Sequence, residues 1–272
     1  MHKESRSMIL EALQLFSPKS IKEELLMLNH ETVRPATPDQ RKEVLASVIQ
    51  QVILQFPDDL SFVRAQQLIG RKKQVGEGIA RILRGGENPV EVITEWQDFY
   101  KQLGIEVDLS GVVVPDYQDG FSRVLVIPQG LTLNRVWAVC RERFASKCWS
   151  WCGDDLDVNV PTNDRVSTAS YAIRVRDRVE ADEELKNLSA NDLKKKKIAG
   201  ITLLERLIYE LKYFSETGKH LDLVNWTLCT GSRDSGGHVP YVDWRSDDKL
   251  RVYWYGPGNS DDDLRARAVV SA

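Results

Sequence analysis

The C-terminal segment constrains the fold most, because it contains four runs in which apolar and polar residues alternate, with short polar segments between them. The runs cover residues 224–230, 239–244, 250–255 and 264–270. Parallel neighbours need a crossover of a dozen or more residues, and these connecting segments are shorter than that. We therefore predict a C-terminal four-stranded antiparallel meander.

The third run also predicts which face of this sheet is covered. Leu250, Val252 and Trp254 alternate with Arg251, Tyr253 and Tyr255, so the two sets lie on opposite faces of a strand. An amphipathic helix predicted over residues 201–214 suits the first set. The sheet is therefore expected to pack on helices with one side only.

Residues 105–214 predict a mixture of short strands and helices. The predicted strands cover residues 105–109, 112–114, 124–127 and 171–175, and the predicted helices cover residues 131–144, 189–197 and 201–214. Together with the meander, this pattern predicts an α+β fold.

Residues 1–104 differ from the rest, because their apolar residues recur three and four positions apart, as is typical of helices. The strongest helical pattern covers residues 44–56, and Asn88-Pro89 opens a last helix that Gly104 ends. We therefore predict a helical domain over residues 1–104 and an α+β domain over residues 105–272. The second is long enough to fold without the first.

Composition excludes a few broad classes. The formal net charge of -3 gives no chain-wide reason to expect a polyanionic partner. Four cysteines are too sparse for a disulfide scaffold. No apolar run reaches the roughly 20 residues of a membrane span, and Glu11 interrupts the N-terminal run before signal-peptide length. We expect a cytoplasmic protein that does not bind membranes.

The most conspicuous motif is Cys148-Trp149-Ser150-Trp151-Cys152. A structural zinc site needs four ligands, and the remaining cysteines and histidines offer no second pair at metal-ligand spacing. Free cysteine is among the most buried residue types. We therefore predict no metal here and expect both cysteines and both tryptophans to pack in the core.

Two acidic segments offer ligands for a hard divalent cation, and they make a metal-dependent hydrolase the main alternative function. Exposed carboxylates are the commoner case, so a solvated surface is the expectation. The residues are Asp154, Asp155 and Asp157 in the first segment and Asp177, Glu180, Asp182, Glu183 and Glu184 in the second.

Catalytic and cofactor motifs are absent from the sequence. A triad would need His220 or His238 with Cys229 or Ser232, but no nucleophile elbow surrounds them. We expect His220 to cap the end of the preceding helix. The glycine-rich segments lack the strand or the Lys-Ser/Thr of a phosphate-binding loop, so we predict no cofactor.

Two basic clusters, residues 71–73 and 194–197, make a nucleic-acid-associated protein the second alternative. The first lies between two short predicted helices, but Gly76 and Gly78 weaken the supposed recognition helix. A lysine run most often marks a solvated helix face. Nucleic acid is therefore a possible partner that the sequence does not favour.

Three segments resemble an uncharacterised bacterial protein family: YAIRVRDRVEAD at 171–182, GKHLD at 218–222 and NWTLCTGSR at 225–233. The resemblance covers residues 110–272 and leaves the helical N-terminal part out. It implies bacterial origin and carries over no activity, cofactor, partner or functional residue.

The leading hypothesis is a non-enzymatic binding or interaction protein, although the sequence leaves catalysis open. Tyrosine and arginine are enriched at interface cores, and the outer face of the meander carries both. The expected partner is a protein or a small molecule, and the competing interpretation is that another helix covers this face. The predicted binding residues are Arg251, Tyr253, Tyr255, Arg265 and Arg267.

Overall fold

Helix α1 (Pro89–Gln102) begins and ends where the sequence predicts. Pro89 occupies the first turn, where the N–H that proline lacks has no intrahelical acceptor. Gly104 follows the last turn with a φ of +66°, a left-handed conformation that glycine adopts without steric cost. The buried residues of α1 share one face: Val92, Trp96, Phe99 and Tyr100.

The structure, a computed structural model, describes residue 47 and residues 89–145, 147–153, 155–245 and 248–271. Ser47 is helical, and the remainder of the helices predicted before residue 89 lies outside the described residues. Apart from Ser47, the described residues belong to one compact unit. None of the helices described is long and apolar enough to cross a bilayer.

The part of the chain described beyond α1 is mixed α and β. Its helices are α2 (Leu133–Arg143), α3 (Leu156–Asn159), α4 (Ala190–Lys195) and α5 (Leu203–Thr217), with a 3₁₀ turn at Glu183–Leu185. Its strands are β1 (Arg123–Ile127), β2 (Cys148–Ser150), β3 (Thr162–Asn163), β4 (Tyr171–Val175), β5 (Trp226–Leu228), β6 (Ser232–Arg233), β7 (Val239–Arg245), β8 (Lys249–Tyr255), β9 (Leu264–Ala266) and β10 (Val270–Ser271).

These strands form three sheets. The first has the order β1-β4-β10 and is antiparallel throughout. The second has the order β2-β8-β7-β5-β9, with antiparallel pairs in the centre and a parallel strand at each edge. β3 and β6 form a small antiparallel pair.

The predicted meander is correct for three strands and wrong for the fourth. β5, β7 and β8 pair antiparallel in sequence order. The run at 264–270 does not pair with β8; it divides into β9, which pairs parallel with β5, and β10, which joins the first sheet. The rule for short connections applies to strands that follow each other in the chain, and β9 pairs with β5, four strands earlier.

The strands predicted at residues 105–109 and 112–114 are also wrong, because both segments are loops. Leu109 and Val114 are nevertheless buried in the core, and Val107 and Val112 pack against it. The apolar alternation therefore reflects an extended loop that lies on the core without a partner strand.

Helix α5 covers one face of the five-stranded sheet, as predicted. Leu207 and Ile208 of α5 share a hydrophobic core with Leu250 and Val252 of β8. A capping box starts α5, with the Thr202 side chain accepting from the backbone N–H of Glu205 and the Glu205 carboxylate accepting from that of Thr202. The opposite face is partly covered, because Ala190 of α4 shares a smaller cluster there with Leu228, Val239 and Leu264.

Candidate functional site

The face of the five-stranded sheet turned away from α5 carries a row of aromatic side chains. In the sheet register Trp149 lies opposite Arg251, and Tyr241 lies opposite Tyr253. Opposite residues share a face, so three strands contribute to the same surface. We call this surface the aromatic face and define it by Trp149, Trp151, Trp226, Tyr241, Tyr253 and Tyr255.

The rings of the aromatic face contact one another across the strands. Trp149 stacks on Tyr253 with ring centroids 5.6 Å apart and an interplanar angle of 22°. Tyr253 contacts Trp151 at 5.3 Å and Tyr241 at 5.6 Å, and Tyr241 stacks on Trp226 at 5.0 Å. The row therefore runs from β2 across β8 and β7 to β5.

Trp149 and Trp151 are exposed, with 40% and 54% of their surfaces accessible. Strand alternation turns Cys148 toward the core, against which Cys152 also packs, and turns the tryptophans outward. The expectation that all four residues are buried is therefore wrong for the tryptophans. The alternation of cysteine and tryptophan along the motif is the sequence signal that indicates this arrangement, because residues next to each other in a strand face opposite sides.

A shallow cavity of about 330 Å³ opens on the aromatic face. Arg251 is held there by a bidentate bond to Asp243, with Nε and Nη2 donating over 2.9 and 3.0 Å. Asp243 is fully buried beneath it. The described lining residues thus include two cations and no carboxylate: Trp149, Tyr241, Lys249, Arg251 and Tyr253.

Three of the five predicted binding residues lie together on this face: Arg251, Tyr253 and Tyr255. Tyr253 and Tyr255 are both half-buried, so neither is covered completely. The other two arginines are elsewhere. Arg265 lies opposite Thr227, which lies opposite Val242 on the side of the sheet that faces the core.

Arg265 and Arg267 both form ion pairs within the fold. Arg265 pairs with Glu183 at 2.5 Å. Arg267 is buried and donates to Asp222 and to the carbonyl oxygens of Arg178 and Val179. Their expected place on the recognition surface depended on pairing of the fourth strand with β8, and the register of β9 on β5 turns Arg265 to the opposite face.

The described acidic residues accept structural hydrogen bonds in separate parts of the fold. Asp155 and Asp157 accept hydrogen bonds from residues at the start of α2. Glu180 accepts from the backbone N–H groups of the 223–225 loop, and Asp182 accepts from Arg176 and from the N–H of Ala268. No three His, Cys, Asp or Glu side chains converge on a metal position among the residues that the structure describes.

Neither histidine is placed with a nucleophile. His220 Nδ1 lies 2.8 Å from Glu210 Oε1, and its ring stacks on Trp244. This is not the predicted helix cap, because Gly218 in the left-handed conformation ends α5. His238 bonds to Asp234 instead.

The two candidate nucleophiles are occupied or inert. Burial raises the pKa of the Cys229 thiol, which keeps it protonated and unreactive. Ser232 Oγ donates to Asn163 Oδ1 and accepts from the N–H of Leu203. The candidate histidines and nucleophiles therefore do not form a triad.

Of the basic clusters, residues 194–197 are all exposed at the end of α4, and residues 71–73 lie outside the described residues. Comparison of the chain with protein-family models, with curated proteins and with solved structures found no match. Bacterial origin, which the sequence resemblance implies, stays a prediction.

Proposed function

We propose that this chain is a non-enzymatic binding protein whose ligand lies on the aromatic face. The observation that carries the proposal is the exposure of Trp149 and Trp151 beside Tyr253, next to a cavity that Lys249 and Arg251 also line. Large aromatic side chains gain free energy from burial, so a cluster of them left open to water marks a surface that a ligand completes.

The way the face is built supports the same proposal. Its rings project from paired strands and pack against one another, so they are ordered before a ligand arrives. The bidentate bond to Asp243 fixes the plane of the Arg251 guanidinium in the same way. A preorganised surface loses little conformational entropy on binding.

We also propose a cytoplasmic location and bacterial origin. All four cysteines are free thiols, which supports a reducing compartment. The sequence resemblance supports the origin.

The test is a binding array that carries single-stranded oligonucleotides, neutral and acidic oligosaccharides, and proline-rich peptides. We expect the wild-type protein to bind one of these classes and the Trp149→Ala/Trp151→Ala double variant to lose that binding, because the stacking surface is gone. Val158→Ala, at another exposed apolar residue, should bind as the wild type does. Equal binding by the double variant and the wild type, or no binding to any class, would contradict the proposal.

A further inference from the structure

We infer that the ligand of the aromatic face is a single-stranded nucleic acid. This inference rests on the proposed binding function and adds the chemical class of the ligand. It follows from the charge of the cavity, from the length of the aromatic row and from the exposure of Trp149 and Trp151.

The charge of the cavity favours an anionic ligand. Exposed Lys249 and half-buried Arg251 line the cavity, whereas Asp243, the carboxylate that pairs with Arg251, is shielded from solvent. A ligand that approaches from solvent therefore meets the cations first, and phosphate groups satisfy them better than neutral hydroxyls do.

The length of the row favours a ligand with repeated flat groups. Ring contacts continue from Trp151 through Tyr253 and Tyr241 to Trp226, over four neighbouring strands. Adjacent strands are about 4.8 Å apart, so the row extends over roughly 15 Å. A mononucleotide or a single acidic sugar covers only part of that distance, and a strand of several nucleotides covers all of it.

Single-stranded nucleic acid combines both requirements, because its bases stack on aromatic rings while its backbone phosphates pair with lysine and arginine. A duplex does not meet the first requirement, because its bases already stack on one another. Neutral oligosaccharides and proline-rich peptides use aromatic rings but carry no charge that could pair with Lys249. No ring of the aromatic face belongs to the lysine cluster at 194–197, so we place the site at the aromatic face.

The experiment measures fluorescence anisotropy of a labelled oligodeoxythymidylate and an oligouridylate, each twelve nucleotides long, with the intact chain. We expect Trp149→Ala to weaken binding roughly 5- to 100-fold, in line with the loss of one stacked base, and Trp149→Phe to keep most of the affinity. Lys249→Glu should weaken binding and flatten the salt dependence measured between about 50 and 200 mM. A duplex of the same length should bind more weakly than either strand.

Controls separate the possible failures. Lys101→Glu, an exposed lysine on α1, should leave binding unchanged. Loss of binding in Lys195→Glu with none in Lys249→Glu would move the site to the lysine cluster and overturn the inference. If neither strand binds but a neutral oligosaccharide or polyproline peptide binds through Trp149, the nucleic-acid inference is wrong and the binding function stands. Circular dichroism of each variant confirms that the fold is retained.

Discussion

Arg206 is a charged residue that the fold buries completely, together with two carboxylates. Its Nε donates to Asp222 Oδ2 over 2.9 Å, and its Nη1 donates to Glu210 Oε2 over 2.8 Å. Asp222 also accepts from Arg267 and from Thr227. Charges removed from water are tolerated only when every partner is present, so this network depends on each of its members.

Asp222 makes that dependence measurable. Burial alone would raise its pKa, but the charges of Arg267 and Arg206 outweigh burial and hold the pKa below the ordinary value. A depressed folded-state pKa contributes stability above the unfolded pKa of about 3.9, and that stability is lost as the pH falls through the folded value. We predict that Asp222→Asn lowers the free energy of unfolding at pH 7 by about 3–5 kcal/mol and flattens its decline in acid.

Urea denaturation from pH 7 down to about pH 3 measures both effects. Asp248→Asn is the control, because Asp248 pairs with Lys147 on the surface, where ion pairs contribute little. A loss in Asp222→Asn no larger than in Asp248→Asn would show that the buried network does not stabilise the fold.

Among the elements, α5 is linked to the three-stranded sheet through its first turn. Glu205 is buried and serves as more than a capping residue. Besides the N–H of Thr202, its carboxylate accepts from Arg165 at 2.6 and 2.8 Å and from the hydroxyl of Tyr171 at 3.0 Å. Tyr171 belongs to β4, so Glu205 ties the helix to the three-stranded sheet.

We predict that Glu205→Gln is more destabilising than Thr202→Ala. Thr202→Ala removes a helix cap, which costs about 0.5–2 kcal/mol. Glu205→Gln keeps a side-chain oxygen that accepts from the N–H of Thr202, but it removes the charge-assisted bonds to Arg165, which costs about 1.5–3 kcal/mol. Ser189→Ala, in the capping box of the short helix α4, provides a comparison for the loss of a cap alone. A free-energy loss for Glu205→Gln no larger than that for Thr202→Ala in urea denaturation would contradict this ranking.

The elements that sequence predicts well are those whose signals are local. Strand 171–175 was predicted with its exact bounds, and α5 follows from the spacing of its apolar residues. β2 and β9 are short and pair parallel with strands far away in the chain, for which no local pattern exists. The same holds for the candidate site. Tyr253 was predicted from strand alternation, whereas Trp149 lies in the site because β2 pairs with the distant strand β8.

At the scale of the whole molecule, α1 belongs to the same hydrophobic core as the sheets and α5. Tyr100 is buried, and its hydroxyl donates to the carbonyl oxygen of Val126 over 2.7 Å. Lys212 of α5 pairs with Glu95 and lies over the rings of Trp96 and Phe99. The predicted boundary at Gly104 stays a prediction, and these contacts show how to test it.

We predict that a fragment of residues 89–272 unfolds in one cooperative transition and that a fragment of residues 105–272 is less stable by several kcal/mol. The shorter fragment loses four buried side chains, each contributing about 1.5–3 kcal/mol through burial, and leaves the core surface they cover open to water. The longer fragment keeps all seven tryptophans and the shorter one keeps six, so fluorescence reports on the shared core in each. Thermal unfolding monitored by fluorescence and by circular dichroism makes the comparison. Coincident transitions with equal midpoints would establish residues 105–272 as an independent domain; a broad transition or aggregation of the shorter fragment would place the domain boundary before α1.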